Sequence, residues 1–138
     1  MSTRQFVTFR LDHRLLGMDI IKVREINRIL DITPVPHAPE YIRGLVNLRG
    51  QTVTVFDLGI RLGLDAREVR KSSHNIILKE GSVGLLVDGI GDVIEAREAQ
   101  MERPPANLQG IGVEFIDSVV KLRDELLVIL SSESILEQ

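Results

Sequence analysis

Apolar and polar positions alternate along residues 5–11, with Val7, Phe9 and Leu11 on one side and Thr8 and Arg10 on the other, the period of two expected of a half-buried strand. Asp12-His13-Arg14 turns the chain, and Leu15, Leu16 and Met18 form the return strand. Asp19 is placed to cap a short helix over residues 20–26, where Ile20, Val23 and Ile26 recur every third residue. The stretch Thr33-Pro34-Val35-Pro36-His37-Ala38-Pro39 continues neither a helix nor a central strand, because each proline lacks an amide donor and restricts its predecessor. It is an extended connector. Pro39 suits the first position of a helical turn over residues 40–43, with Gly44 as the left-handed residue that ends it. Residues 45–48 and 52–56 then flank Arg49-Gly50, which predicts a β-hairpin with Arg49 at its tip.

Further along, Asp57 caps a turn carrying Leu58 and Leu62 and closed by Gly63, and the charged run 65–71 with Ser72-Ser73 reads as a solvated loop. Strands are expected over 75–79 and 83–88, over 92–96 after Gly89-Ile90-Gly91, and over 112–116 and 119–122 beyond a Pro104-Pro105 loop. Residues 126–130, Leu-Leu-Val-Ile-Leu, are apolar throughout and predict a strand buried on both faces, before Ser131-Ser132-Glu133-Ser134 starts a terminal helix. Many short strands with helices reduced to single turns point to small barrels or a sandwich instead of a βαβ sheet.

Composition agrees with a packed core: 43% of the residues are hydrophobic and 27% charged, in a chain of 138 residues that suits one domain. Lys and Arg number 17 against 20 for Asp and Glu, so the net charge of -3 supplies no global positive field to draw in nucleic acid or anionic lipid. The absence of cysteine removes disulfides, thiolate metal sites and cysteine nucleophiles together, and fits a reducing compartment. Met1-Ser2-Thr3-Arg4-Gln5 leads straight into a strand pattern without a signal-peptide profile, and no apolar run approaches the ~20 residues of a membrane span.

Candidates for catalysis are few. His13, His37 and His74 are scattered over a turn, a connector and a strand start, and Asp57 and Asp88 suit capping and turn bonding better than acid–base work. Gly89-Ile90-Gly91 and Gly110-Ile111-Gly112 lack the third glycine and helix of a dinucleotide site. Arg43, Arg49, Arg61, Arg67, Arg70 and Lys71 are interrupted by Asp57, Asp65 and Glu68, with no interleaved aromatics for base stacking. Protein–protein recognition remains. Arg49 on a rigid turn can present its fork to carboxylates, or can simply keep the tip soluble.

The stretch Pro36-His37-Ala38-Pro39-Glu40-Tyr41-Ile42-Arg43-Gly44-Leu45-Val46-Asn47-Leu48-Arg49-Gly50, followed by Val53-Thr54-Val55-Phe56-Asp57-Leu58, strongly resembles the CheW-like domain of bacterial chemotaxis coupling proteins. Further blocks fit in order: Leu16-Gly17-Met18-Asp19-Ile20 with Val23-Arg24-Glu25-Ile26, Val83-Gly84-Leu85-Leu86-Val87-Asp88-Gly89 with Asp92-Val93-Ile94, and residues 126–136. The resemblance implies a mainly β domain over residues 1–138, built as two interleaved five-stranded SH3-like β-barrels with a few short helices. It implies a non-enzymatic adaptor without cofactor or metal. Its expected partners are the cytoplasmic tip of methyl-accepting chemoreceptors and the regulatory domain of a CheA-type histidine kinase. The protein would be cytoplasmic, a monomer in isolation, and reach the membrane only through partners.

By the same resemblance Arg49 is the functionally sensitive arginine of the hairpin and Glu25 the acidic residue near it. Val23, Ile26 and Val46 are expected as apolar contacts for a receptor helix or as core, and Gly44 and Arg103 as kinase-side positions. One departure stands out: where the family commonly continues Asp-Leu-Arg, this chain has Asp57-Leu58-Gly59, with Arg61 two positions on. Alternatives are a CheW-like scaffold in a kinase pathway outside chemotaxis, such as surface motility or development, and a small-ligand-binding β-barrel.

Overall fold

The alternation in the first segment becomes β1 (Thr3–Leu11), paired antiparallel with β2 (Arg14–Asp19) about a turn in which Asp12 takes a φ of 55°. The computed structural model describes residues 2–28, 30–106 and 108–137, so Met1 of the opening stretch lies outside the described residues. After β2 the expected helix over residues 20–26 is not formed. Asp19 does cap, its Oδ1 accepting the Ile21 N–H at 3.1 Å, but the cap serves a single 3-10 turn, Ile20–Lys22, and the chain then extends as β3 (Val23–Asn27). Pairing decides it: Val23 lies opposite Leu78 and Ile26 opposite Ile76, so two β-branched residues gain a buried sheet face that an isolated turn of helix would not give them.

The rest of the chain adds β4 (Ile42–Leu48), β5 (Gln51–Asp57), α1 (Leu58–Arg61), β6 (His74–Leu78), β7 (Val83–Val87), β8 (Gly89–Arg97), β9 (Met101–Glu102), β10 (Ile116–Lys121), β11 (Leu126–Leu130) and α2 (Ser132–Leu136). The expected strand over 112–116 is a 3-10 turn, Val113–Phe115, and pairing begins only at Ile116. The expected helical turn over 40–43 is an irregular turn that passes into β4 at Ile42, which places Gly44 inside a strand instead of at a helix end.

Two sheets result, in the orders β8-β1-β2-β11-β10-β9 and β3-β6-β7-β5-β4. The first has five full strands and the two-residue β9; the second has five. The second is inserted whole between β2 and β8 of the first. Each sheet has one parallel neighbour pair, β2 with β11 and β5 with β7, and the rest are antiparallel. In the first, the edge strands β8 and β9 are joined by only Glu98–Gln100, which leaves roughly 14 Å at most from Arg97 to Met101. In the second, side chains of the edge strand β3 reach the β4–β5 turn and the first residue of β5, Glu25 meeting Arg49 and Arg24 meeting Gln51.

The faces between the sheets share one core, with Phe9, Leu16, Met18, Val128 and Leu130 from the first meeting Phe56, Ile76, Leu78, Leu85 and Val87 from the second. Opposite faces build two smaller cores: Phe6, Leu15, Val120, Leu127 and Ile129 in the first sheet, and Val46, Leu48, Val53, Val55, Ile77 and Leu86 in the second. Central strands such as β7 and β11 are therefore buried on both sides, which is why their sequences read as unbroken apolar runs.

Candidate functional site

The β4–β5 hairpin closes through a two-residue turn in which Arg49 (φ 49°) and Gly50 (φ 84°) are both left-handed, the type I′ geometry whose twist matches the flanking strands. Glycine supplies that φ freely and arginine does not, so a side chain is placed at a conformationally costly tip position. Asn47 stiffens the turn by accepting the Gly50 N–H on Oδ1 at 2.9 Å. The Arg49 side chain is 65% exposed.

Its guanidinium turns across to Glu25 on β3. Nη2 donates to Oε1 and Nη1 lies 3.5 Å from Oε2, while Asn27 Nδ2 donates to Oε2 at 3.0 Å. Beside this pair, Arg24 Nη1 donates to Gln51 Oε1 at 2.9 Å. Because β3 and β4 are the opposite edges of the second sheet, these contacts from β3 to the β4–β5 turn act as a clasp between the sheet's two ends. The hydrogen bond from Arg49, and then that from Asn27, hold the Glu25 carboxyl below its ordinary pKa of 4.5, and Glu25 in turn raises the Arg49 guanidinium. A carboxylate with a lowered folded pKa stabilises the fold fully above its unfolded pKa and ceases to do so as pH falls through the lowered folded value. The clasp is thus intact at neutral pH, and acid below about pH 4.5 progressively opens it. In a Glu25→Gln variant, amide shifts at Arg49 and Gly50 are expected to lose the acid transition that the unaltered protein shows; an identical transition in both would remove Glu25 as its source.

Val23 and Ile26 are half-buried and pack against the shared core, which limits what they offer a partner. Val46, expected as a possible groove contact, is only 4% exposed in the second sheet's own core and presents no side-chain surface. Gly44 is buried at a bulge of β4. Arg103 is exposed and directly follows β9, the outermost strand of the first sheet, whereas Arg49 lies at the hairpin tip of the second.

Two arginines gave no local signal of their roles. The run 65–71, expected to be solvated, holds Arg67 with 5% of its side chain exposed. Its Nη1 lies 3.0 Å from both Asp12 Oδ2 and Asp88 Oδ2, and its Nε and Nη2 donate to Asp65 O at 3.1 and 2.9 Å. Burial opposes its charge, but Asp12 and Asp88 outweigh that and raise its pKa, while its hydrogen bond lowers that of Asp12. Arg61 donates to the carbonyls of Ile135 (2.8 Å), Ser134 (3.1 Å) and Glu137, tying down α2, with its guanidinium carbon 4.9 Å from the Tyr41 ring centroid and 5.0 Å from that of Phe115. The departure at Gly59 therefore does not leave Arg61 as a free substitute.

Among the described residues there is no group of three or more side chains suited to hold a metal, and no helix is long and apolar enough to cross a membrane. What the second sheet offers is a rigid, cationic turn held in a set orientation.

Comparison with known proteins agrees with this architecture. The chain is 34% identical over 134 residues to the chemotaxis protein CheW of Treponema pallidum, covering 91% of this chain and 78% of that one. It is 30% identical over 135 residues to CheW of Rhizobium meliloti, covering 96% and 86%. The crystal structure of the scaffolding protein TtCheW from Thermoanaerobacter tengcongensis superposes with a TM-score of 0.89 at 33% identity, over all of this chain and 90% of that one. Residues 5–138 match the model of the CheW-like domain, and the chain belongs to that family.

Proposed function

We propose that this protein is a non-enzymatic coupling scaffold of chemotaxis signalling that holds the cytoplasmic tip of a chemoreceptor and the regulatory domain of a CheA-type histidine kinase in one assembly. The observation that carries the reading is the exposed Arg49, fixed on a type I′ turn and braced by Glu25, on a fold that superposes closely on a scaffolding protein. A guanidinium whose orientation is set before binding loses little rotamer freedom on meeting a carboxylate, and its fork favours two-point contact. Half-buried Val23 and the exposed Ile20 and Ile21 that precede it in the chain supply apolar surface for a receptor helix. Arg103, on the other sheet, is assigned to kinase contact during array assembly. The adaptor works from the cytoplasmic side of receptor arrays.

Titration of the purified protein with a receptor-tip fragment and, separately, with a kinase regulatory domain tests this. Arg49→Asp is expected to weaken receptor-tip binding at least about tenfold with the melting temperature changed by less than about 4 °C, since exposed substitutions perturb stability little. Unchanged affinity would remove Arg49 from the interface. Arg103→Asp is expected to leave receptor binding intact and to impair only co-assembly with the kinase.

A further inference from the structure

We infer that Arg67 is a positioning residue for the Arg49 turn: its buried guanidinium and backbone fasten the base of the β4–β5 hairpin to the first sheet. This rests on the reading of Arg49 as a contact residue. The hairpin's base is where β4 begins and β5 ends, and Arg67 engages both sides of it. Its carbonyl accepts Arg43 Nη1 of β4 at 2.9 Å, and its N–H donates at 2.8 Å to Oδ2 of Asp57, the fully buried last residue of β5. Arg43 Nη1 also lies 3.5 Å from the same carboxylate oxygen.

The side chain then reaches away from the second sheet. It bonds to Asp12 in the β1–β2 turn and to Asp88, which separates β7 from β8 where the chain returns to the first sheet. Asp88 Oδ2 also accepts the Asp12 N–H at 2.7 Å, so the two acids are locked to each other as well as to the cation. One residue thus joins both strands of the hairpin to two separate places on the other sheet. Arg67 meets the hairpin at its base, through Arg43 and Asp57, so its effect on the Arg49 turn travels through the placement of the hairpin.

A lysine at this position has one ammonium, which cannot serve both aspartates and the Asp65 carbonyl in the fixed plane of a guanidinium. The test compares the unaltered protein with Arg67→Lys, Arg67→Met and a core variant, Ile129→Val, as a control of modest destabilisation outside this cluster. Residual dipolar couplings report the orientation of residues 42–57 relative to the first sheet, and titration with the receptor-tip fragment reports its consequence. In both Arg67 variants the couplings are expected to require a reoriented hairpin, with affinity lowered about five- to tenfold, less for lysine than for methionine. Ile129→Val is expected to change neither. Couplings that fit the original orientation in the Arg67→Lys protein would overturn the inference, and so would an equal change in the control. If the unaltered protein does not bind the fragment at all, the reading of Arg49 fails, while the couplings still decide the positioning.

Discussion

A Gly44→Val protein is expected to lose about 4 kcal/mol or more of stability, enough to unfold most marginally stable domains of this size. The φ of Gly44 is 147°, and a Cβ built there would sit 2.1 Å from the Thr33 carbonyl oxygen, 2.7 Å from its carbon and 2.9 Å from Ile32 Cγ2. The neighbour cannot yield cheaply, because Thr33 exchanges two backbone hydrogen bonds with Leu45, both 2.8 Å, and these stitch the connector onto the outer edge of β4. Moving Thr33 away breaks both and withdraws Ile32 from the second sheet's core. Alanine should be nearly as damaging as valine, since the collision is already complete at Cβ. Loss of kinase binding in a Gly44 variant would then report a damaged edge instead of a missing contact. Denaturant titration decides between them: a variant with an unchanged midpoint that nonetheless fails to bind kinase would make Gly44 a surface contact and refute the internal account.

That glycine also illustrates what could be read from the chain before its structure. Strands buried on both faces were legible because their apolar runs, such as residues 83–87 and 126–130, have no polar side to hide. The hairpin at Arg49-Gly50 was legible because its turn chemistry is local. By contrast, β3 carries a three-residue apolar recurrence that also suits a helix, and its strand state is settled by β6, some fifty residues away. Gly44 suits the end of a helical turn because positive φ is the commonest demand on glycine; its φ is positive at 147°, but inside a strand, and the approaching Thr33 backbone adds a second demand that no local pattern shows. Arg67 was hidden inside a charged run in which Val69, 44% exposed, is no guide to burial. A signal did exist: Asp57 ends one strand and Asp88 directly follows the apolar run of another, and acids so placed call for a cation or amide partner. Composition alone could not say which arginine answers.

The same cluster gives a physical reason for glycine at position 59, where the family resemblance leads one to expect arginine, and it makes Gly59→Arg the second large expected effect. A Cβ at residue 59 would lie 2.2 Å from Asp65 O and 2.6 Å from Arg67 Nε, with Asp57 Oδ1 at 3.2 Å. The close approach is the price of bringing the loop after α1 back over the helix: Leu64 N–H donates to Gly59 O at 2.7 Å, and three residues later Arg67 is led to its aspartates. Gly59→Arg is expected to cost about 3 kcal/mol, most of it already present in Gly59→Ala, because the obstruction begins at Cβ and expelling the Arg67 guanidinium strands Asp88 without its cation. The two sources of strain separate in a double-mutant cycle. Truncating Arg67 to alanine removes the Nε clash but leaves the Asp65 carbonyl, so Gly59→Ala should cost less in the Arg67→Ala background, by about 1 kcal/mol, yet remain destabilising. Strict additivity in denaturant titrations would mean that glycine is required by the loop backbone alone and that Arg67 has no part in its selection.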